Sequence, residues 1–189
     1  MQKFKGAEAI VYPINYFDLN ALVKERIEKE YREKSLDEKL RTERTRQEAK
    51  LLSRAKETGI LCPIIYNISK YKIILKKING KMLYDYKISE KQIKESAEIL
   101  IKLHSLDIIH GDYTPANLIQ TSKGIAVIDF GLGFFSKKVE DKAMDLITMK
   151  KALGNKKGAL FVKEYSNIGD KEIITRAEII EKRVRYAER

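Results

Sequence analysis

A chain of 189 residues suffices for one ordinary domain or two small lobes, and is too short for a large enzyme with an elaborate substrate domain. Its 38 lysines and arginines against 27 acids give a formal net charge of +11, which suits acidic partners such as nucleic acid, nucleotide phosphates or an acidic protein face without choosing among them. The single cysteine, Cys62, excludes an internal disulfide and a cysteine-based zinc site. No apolar run approaches the ~18 residues of a membrane helix, and MQKFKGAEA lacks the apolar core of a signal peptide, so a soluble, cytoplasmic protein with no membrane partner is expected.

EAIVYPI and NYFDLNALVKE open the chain, and their apolar content predicts short antiparallel strands with Pro13 and Asn15 between them. A charged helix follows: Ser35 with Glu38 three residues on forms a capping-box pattern, and Gly59 supplies the stop. PIIYNIS and YKIILKKI, two β-branched runs split at KY and closed by NG, predict a hairpin. Ser89 with Gln92 repeats the capping-box pattern, and Ile93, Ala97, Leu100 and Ile101 recur at helical spacing up to His104. LDII then leads into HGDYTPANL, His110 to Leu118. NLIQ and IAVIDF flank TSKG and predict another hairpin, so the polar clusters fall at strand ends, where loops carry chemistry. Two helices complete the chain, VEDKAMDLITMKKAL, stopped by Gly154, and DKEIITRAEIIEKRVRYAE, with Asp170 as N-cap. Strands and one helix first, then mostly helices around a hairpin, predict an α+β fold of two lobes with the boundary near INGK, residues 78–81, and a ligand cleft between them.

Asp112 is followed five residues later by Asn117, and twelve residues after that by Asp129 in VIDFG. In phosphoryl transfer a base-like Asp positions the attacking hydroxyl, while an Asn and a second Asp hold Mg²⁺ against the nucleotide phosphates. Taken singly, Asp112 and Asn117 suit a turn and Asp129 a strand end before Gly131. The ordered D-x4-N, strand and DFG is the kinase signature. A kinase also needs a lysine on the phosphates and an acid to hold that lysine. Glu48 lies on the apolar stripe of its helix, with Leu51, Leu52 and Ala55 at i+3, i+4 and i+7, and an inward carboxylate needs a cation. Lys24, at the end of LNALVKE, is the candidate; Arg26 and Lys29 are the alternatives. The cover over the phosphates is Gly6, Ala7, Glu8 and Ala9, in which Gly6 alone allows close backbone approach and Glu8 needs a cation or Mg²⁺ beside it. No G-x4-G-K-[ST] is present, which excludes a P-loop NTPase.

GAEA, VKERIEKEYREKSLD, RTRQEAKLL, HGDYTPANL and IDFGLGFFSKKVEDKAMDL, spanning Gly6 to about Leu146, together resemble the small atypical kinase of the KEOPS complex, a family distantly related to RIO kinases. The closing KRVRYAER resembles that family's basic tail. The resemblance implies a minimal two-lobed protein-kinase-like fold, with an antiparallel N-lobe sheet in residues 1–78 and a reduced helical C-lobe with its tail in residues 79–189. It implies ATP and Mg²⁺ in the cleft, with Lys24, Asp112 and Asn117 catalytic, Asn117 and Asp129 on the metal, and Glu48 with the GAEA cover beside the nucleotide. Lys76 and Ile78 fall at the hinge, where backbone reads adenine, and Asp145 looks like the acid that braces the catalytic loop. Two positions depart from the family pattern: Lys76 stands where a Glu commonly precedes the hinge, and Tyr113 where a Leu commonly follows the catalytic Asp, a change of packing more than of proton transfer.

The implied partners are an ASKHA-fold tRNA threonylcarbamoyltransferase subunit and the other KEOPS subunits, in the complex that makes threonylcarbamoyladenosine in tRNA. The implied activity is that of an autophosphorylating serine/threonine protein kinase or an ATPase. Lys182, Arg183, Arg185 and Arg189 could meet tRNA phosphates, although Glu178, Glu181 and Glu188 are interspersed with them. HGDYTPAN also resembles the loop of aminoglycoside and choline phosphotransferases, from which FG after the second Asp, the lack of a long helical substrate lobe and the absence of tryptophan set it apart. A non-catalytic pseudokinase scaffold is the remaining alternative, against which Lys24, Asp112, Asn117 and Asp129 stand intact. Only residues 146–189 follow Asp145, without an A-P-E element, so poor activity on generic peptides is expected.

Overall fold

A computed structural model describes residues 3–6 and 8–187, with side chains as far as residue 183. The first part is a five-stranded antiparallel sheet of β1 (Phe4–Lys5), β2 (Ala9–Tyr16), β3 (Leu19–Arg26), β4 (Ile65–Ile68) and β5 (Lys72–Lys76), in the order β1-β2-β3-β5-β4. Pro13 and Asn15, expected between strands, lie inside β2, and the turn falls at Phe17 and Asp18, whose φ values are 49° and 61°. Two left-handed residues form the turn whose twist matches a hairpin. Counted from that turn, Pro13 opposite Leu22 occupies a pair whose N–H would point away from β3, at a position β1 does not reach. Among the described residues no ladder hydrogen bond is lost there.

Helix α1 (Lys34–Glu57) crosses behind this sheet. Its N-cap is Glu33, not Ser35: the Glu33 carboxylate accepts from the Ser35 and Leu36 N–H groups at 3.0 Å each, and from the Ser35 hydroxyl. The helix closes as foreseen at Gly59, where Gly59 N–H donates to Lys56 O and Ile60 N–H to Ala55 O, each at 3.1 Å. Beyond it the chain rejoins the second part, with Val127 N–H donating to Leu61 O at 2.8 Å. Leu51, Leu52, Ala55, Ile60 and Cys62 therefore share one buried cluster with Leu100, Leu103, Val127 and Phe130. Burial pushes the Cys62 thiol up to about 11, which makes it a packing residue without thiolate chemistry.

The second part begins with β6 (Lys81–Met82) and α2 (Glu90–Ser105), whose Ser89 and Gln92 form the expected capping box. β7 (Ile108–Ile109) leads to the polar loop, β8 (Leu118–Thr121) and β9 (Gly124–Val127) form the hairpin, and β10 (Phe134–Phe135) returns to pair with β7. β6 extends the hairpin in the order β6-β8-β9. Three helices follow rather than two: α3 (Val139–Leu153), α4 (Asn155–Ile168) and α5 (Lys171–Ala187). Gly154 is the joint between α3 and α4, and Gly158 lets α4 lie directly on the end of α3, since a Cβ there would stand 2.4 Å from Lys150 O. Asp170 caps α5 by accepting the Glu172 N–H at 2.9 Å. Among the described residues no helix is long and apolar enough to cross a membrane.

Candidate active site

The alternation of β3 puts Lys24 and Arg26 on one face, turned toward α1. Glu48, 1% exposed, receives both: Lys24 Nζ lies 2.6 Å from its Oε1 and Arg26 Nη2 2.7 Å from its Oε2. Lys24 Nζ also reaches Asp129 Oδ1 at 2.5 Å. Three segments far apart in sequence thus converge on one ammonium group. Asp129 sits in the left-handed region at φ 60°, a conformation that costs about 1 kcal/mol and aims the carboxylate back at the Gly131 N–H, 3.0 Å away. A Cβ on Gly131 would stand 2.8 Å from Asp129 Oδ1 and 2.9 Å from Lys24 Nζ, so a side chain there would push the two charged ends of the site aside. Desolvation works to raise the Asp129 pKa, but the charge and hydrogen bond of Lys24, with the Gly131 N–H, outweigh it and hold the carboxyl below its ordinary value.

The loop from His110 to Leu118 is held from beneath. Asp145 on α3, itself buried, accepts the His110 N–H at 2.7 Å and the Gly111 N–H at 2.8 Å. His110 is fully buried; its Nε2 donates to Ile128 O at 3.1 Å and its Nδ1 accepts the Asp112 N–H at 3.3 Å. Both ring nitrogens are occupied, which makes His110 a brace and not a proton carrier. Tyr113 is also fully buried and donates its hydroxyl to Ser96 O at 2.7 Å, anchoring the loop to α2. Asp112 by contrast is exposed. Asn117 Nδ2 donates to Asp112 O at 2.8 Å and to Asp112 Oδ2 at 2.9 Å. Those partners can only accept, so the amide nitrogen must face them and the amide oxygen is the atom left to Asn117 for a metal. Pro115 opens the 3₁₀ turn Pro115–Asn117 that sets this spacing.

At the cover, Gly6 N–H donates to Ala9 O at 2.9 Å, and Ala9 is buried at the start of β2 opposite Arg26. Ala7 lies outside the described residues. Glu8 pairs with Arg44 of α1, which supplies the cation its sequence context demands. Desolvation opposes, but Arg44, then Arg32 and Arg26, hold the Glu8 carboxyl below its ordinary value. Lys76 ends β5 with its side chain exposed and its N–H given to Ile64 O at 2.8 Å, and half-buried Ile78 follows. Among the described residues neither Lys76 nor Ile78 has a hydrogen bond or ion pair with the Lys24 cluster.

Residues 11–148 match the RIO domain. The chain belongs to the RIO family. Among the relatives of this RIO chain, a probable serine/threonine-protein kinase BUD32 homologue of Archaeoglobus fulgidus is 38% identical over 196 residues, covering 100% of this chain and 98% of that protein. A probable bifunctional tRNA threonylcarbamoyladenosine biosynthesis protein of Methanosphaera stadtmanae is 40% identical over 194 residues, 97% of this chain and 36% of that protein. Its namesake from Methanocaldococcus jannaschii is 39% identical over 196 residues and is likewise covered over 36% of its length. The RIO chain thus spans little more than a third of these bifunctional relatives. The crystal structure of the Rio2 kinase-ADP/Mg²⁺-phosphoaspartate complex from Chaetomium thermophilum superposes with a TM-score of 0.70 over 98% of this chain and 70% of that one, at 11% identity, a likeness of fold alone.

The donor set of this RIO site fits Mg²⁺. The Asn117 amide oxygen and the anionic Asp129 carboxylate would offer two hard oxygen donors, as suits a metal that keeps water and phosphate oxygens for its other positions. Among the described residues no three acids, histidines or cysteines converge as a self-sufficient metal site.

Several supports escape a reading of the sequence. Spacing ranks Arg26 only as an alternative to Lys24, whereas Glu48 takes both. Gln47 on α1 donates to Gly133 O at 2.7 Å and pins the segment after Asp129. Asp37, in YREKSLD, is buried between Arg41 at 2.6 Å and Arg32 at 3.6 Å and fixes the entry to α1. His104, buried on α2, meets Tyr165 of α4 at 2.8 Å through Nδ1 and brings Nε2 to 3.5 Å from Asp145 Oδ2. Of these only the Asp37–Arg41 pair, at i and i+4 on α1, follows a spacing rule. In the tail, Lys182 and Arg183 are exposed, while Arg189 and the side chain of Arg185 lie outside the described residues.

Proposed function

We propose that this RIO chain is a Mg²⁺-ATP-dependent phosphotransferase, a serine/threonine kinase or ATPase in reaction class, that supports threonylcarbamoyladenosine formation in tRNA as a subunit of the KEOPS complex. The observation that carries the chemistry is Lys24 bridging Glu48 at 2.6 Å and Asp129 at 2.5 Å, beside a loop in which Asn117 orients Asp112. The cellular role draws support from the names of the Archaeoglobus and methanogen relatives.

When bound, Mg²⁺-ATP supplies the transferable phosphoryl group. Asn117 and Asp129 would hold the metal, Lys24 the phosphates, and backbone at Lys76 to Ile78 the adenine. Asp112, exposed and steered by Asn117, accepts a hydrogen bond from the attacking hydroxyl or water and takes its proton. Glu8, tied to Arg44, keeps its charge off the phosphates. The segment after Asp129 is fixed by the β7 and β10 pairing and by Gln47. The acceptor is water, the chain itself, or a target presented by an ASKHA-fold transferase partner. The basic end of α5 would face tRNA.

ADP release from ATP, measured for wild type and Asp129→Ala with and without the transferase, tests this. Loss of Asp129 should lower turnover on the order of 100-fold; equal turnover in the two proteins overturns the enzymatic reading. Turnover that does not rise on adding the transferase removes the partner.

A further inference from the structure

Glu48 offers two carboxylate oxygens and has two cations, but these are not equivalent. Lys24 divides its ammonium between Glu48 and Asp129, both within 2.6 Å. Among the described residues Arg26 hydrogen-bonds through its side chain to Glu48 Oε2 at 2.7 Å and otherwise only to backbone carbonyls, Arg44 O at 3.4 Å on α1 and Gly131 O at 3.5 Å just past Asp129. One guanidinium nitrogen therefore touches the strand's acid partner, the helix that carries it, and the segment that follows the metal-binding position. Arg26 is 4% exposed and Glu48 1%.

A buried carboxylate left with one partner becomes an uncompensated charge whenever that partner moves. Lys24 has such a movement to make, because the nucleotide reading of the site asks it to turn from Asp129 to the phosphates. Lysine suits that task as a compact charge on a flexible stem, whereas arginine is a rigid fork that stays charged and is pre-organised for a static pair.

We propose that Arg26 is a positioning residue for the nucleotide: it keeps Glu48 neutralised and α1 in place while Lys24 exchanges Asp129 for phosphate. The inference rests on the nucleotide reading and adds a division of labour between the two cations. Arg26 does not itself touch the phosphates.

The test measures binding of a Mg²⁺-loaded non-hydrolysable ATP analogue by calorimetry, with the full chain, for wild type, Arg26→Met, Arg26→Lys, Glu48→Gln and the double variant Arg26→Met/Glu48→Gln. Arg26→Met should weaken binding about tenfold or more, and Arg26→Lys should recover part of the loss by returning a charge to Glu48. The double variant should bind no more weakly than Glu48→Gln alone, because with the carboxylate gone Arg26 has nothing left to compensate. Arg26→Met binding within about twofold of wild type, or losses that multiply in the double variant, overturns the proposal. Should Arg26→Met not fold, the double variant against Glu48→Gln decides alone: equal affinities support Arg26 acting through Glu48, and a further loss of about tenfold overturns it. A wild type that binds no analogue would instead bring down the nucleotide reading and this inference with it.

Discussion

His104 on α2 and His110 at the start of the HGDYTPANL loop, the chain's two histidines, are both buried, and burial pushes both pKa values down. For His104 desolvation outweighs the hydrogen bond and charge of Asp145, with Lys142 adding to the depression; for His110 it outweighs Asp145, the Ile128 carbonyl, Asp129 and Asp112. A histidine whose folded pKa lies below its ordinary 6.5 is protonated first in the unfolded chain. Its neutral burial is therefore without penalty above that pH, and stability falls as pH drops below it. The slope is at most about 1.4 kcal/mol per pH unit for each histidine. Carboxylates such as Asp129 and Glu8, held below their ordinary values, titrate at lower pH and leave this window to the histidines. Urea midpoints should thus decline between pH 7 and 5.5, with His104→Gln removing about half of the slope. A flat profile in the wild type would mean that neither ring is held neutral in the folded protein.

At the scale of elements, the sequence is legible where one local rule acts alone. Ser89 and Gln92 cap α2 because a helix start is a local event, and HGDYTPANL with IDFG is readable because one short turn and one hairpin set the spacing between Asp112, Asn117 and Asp129. Expectation and structure part where a neighbour decides. Pro13 looks like a break, yet the open side of β2 tolerates its missing N–H. Glu33 displaces Ser35 as the cap of α1 because a longer carboxylate reaches two N–H groups. Helix α4 is hidden because NKKGAL has a loop-like composition, and Gly158 there answers to α3 and not to its own helix. Arg26 and Arg44 are two cations among many until β3 and α1 lie side by side. Gly158 gives this a measurable form. Alanine raises helix propensity by about 1 kcal/mol, but its Cβ would press on Lys150 O, and overpacking costs about 1–3 kcal/mol. Gly158→Ala should therefore lower the heat-unfolding midpoint; a rise would show that α4 stands off α3.

The formal net charge of the whole chain is +11, and this bears on the tRNA-facing role proposed for the end of α5. Of the acids interspersed there, Glu181 meets Lys150 of α3 at 2.6 Å, which ties α5 to the fold and gives that carboxylate a cation on another helix. Lys182 and Arg183, next in sequence, remain exposed. The described apolar residues by which α5 packs on the core, Ile173, Ile174, Ala177 and Ile180, all precede residue 182 and stay in a chain that lacks residues 182–189. Each phosphate that these side chains neutralise should add to the dependence of log affinity on log salt by about 0.7 for single-stranded and about 0.9 for duplex RNA, taking the DNA value for the duplex. Binding of tRNA to the assembled complex, titrated at several salt concentrations with and without those residues, should show weaker affinity and a shallower slope for the truncated chain. A slope and affinity that survive truncation would place the tRNA elsewhere on the complex and leave the net charge of +11 to solubility and nucleotide attraction.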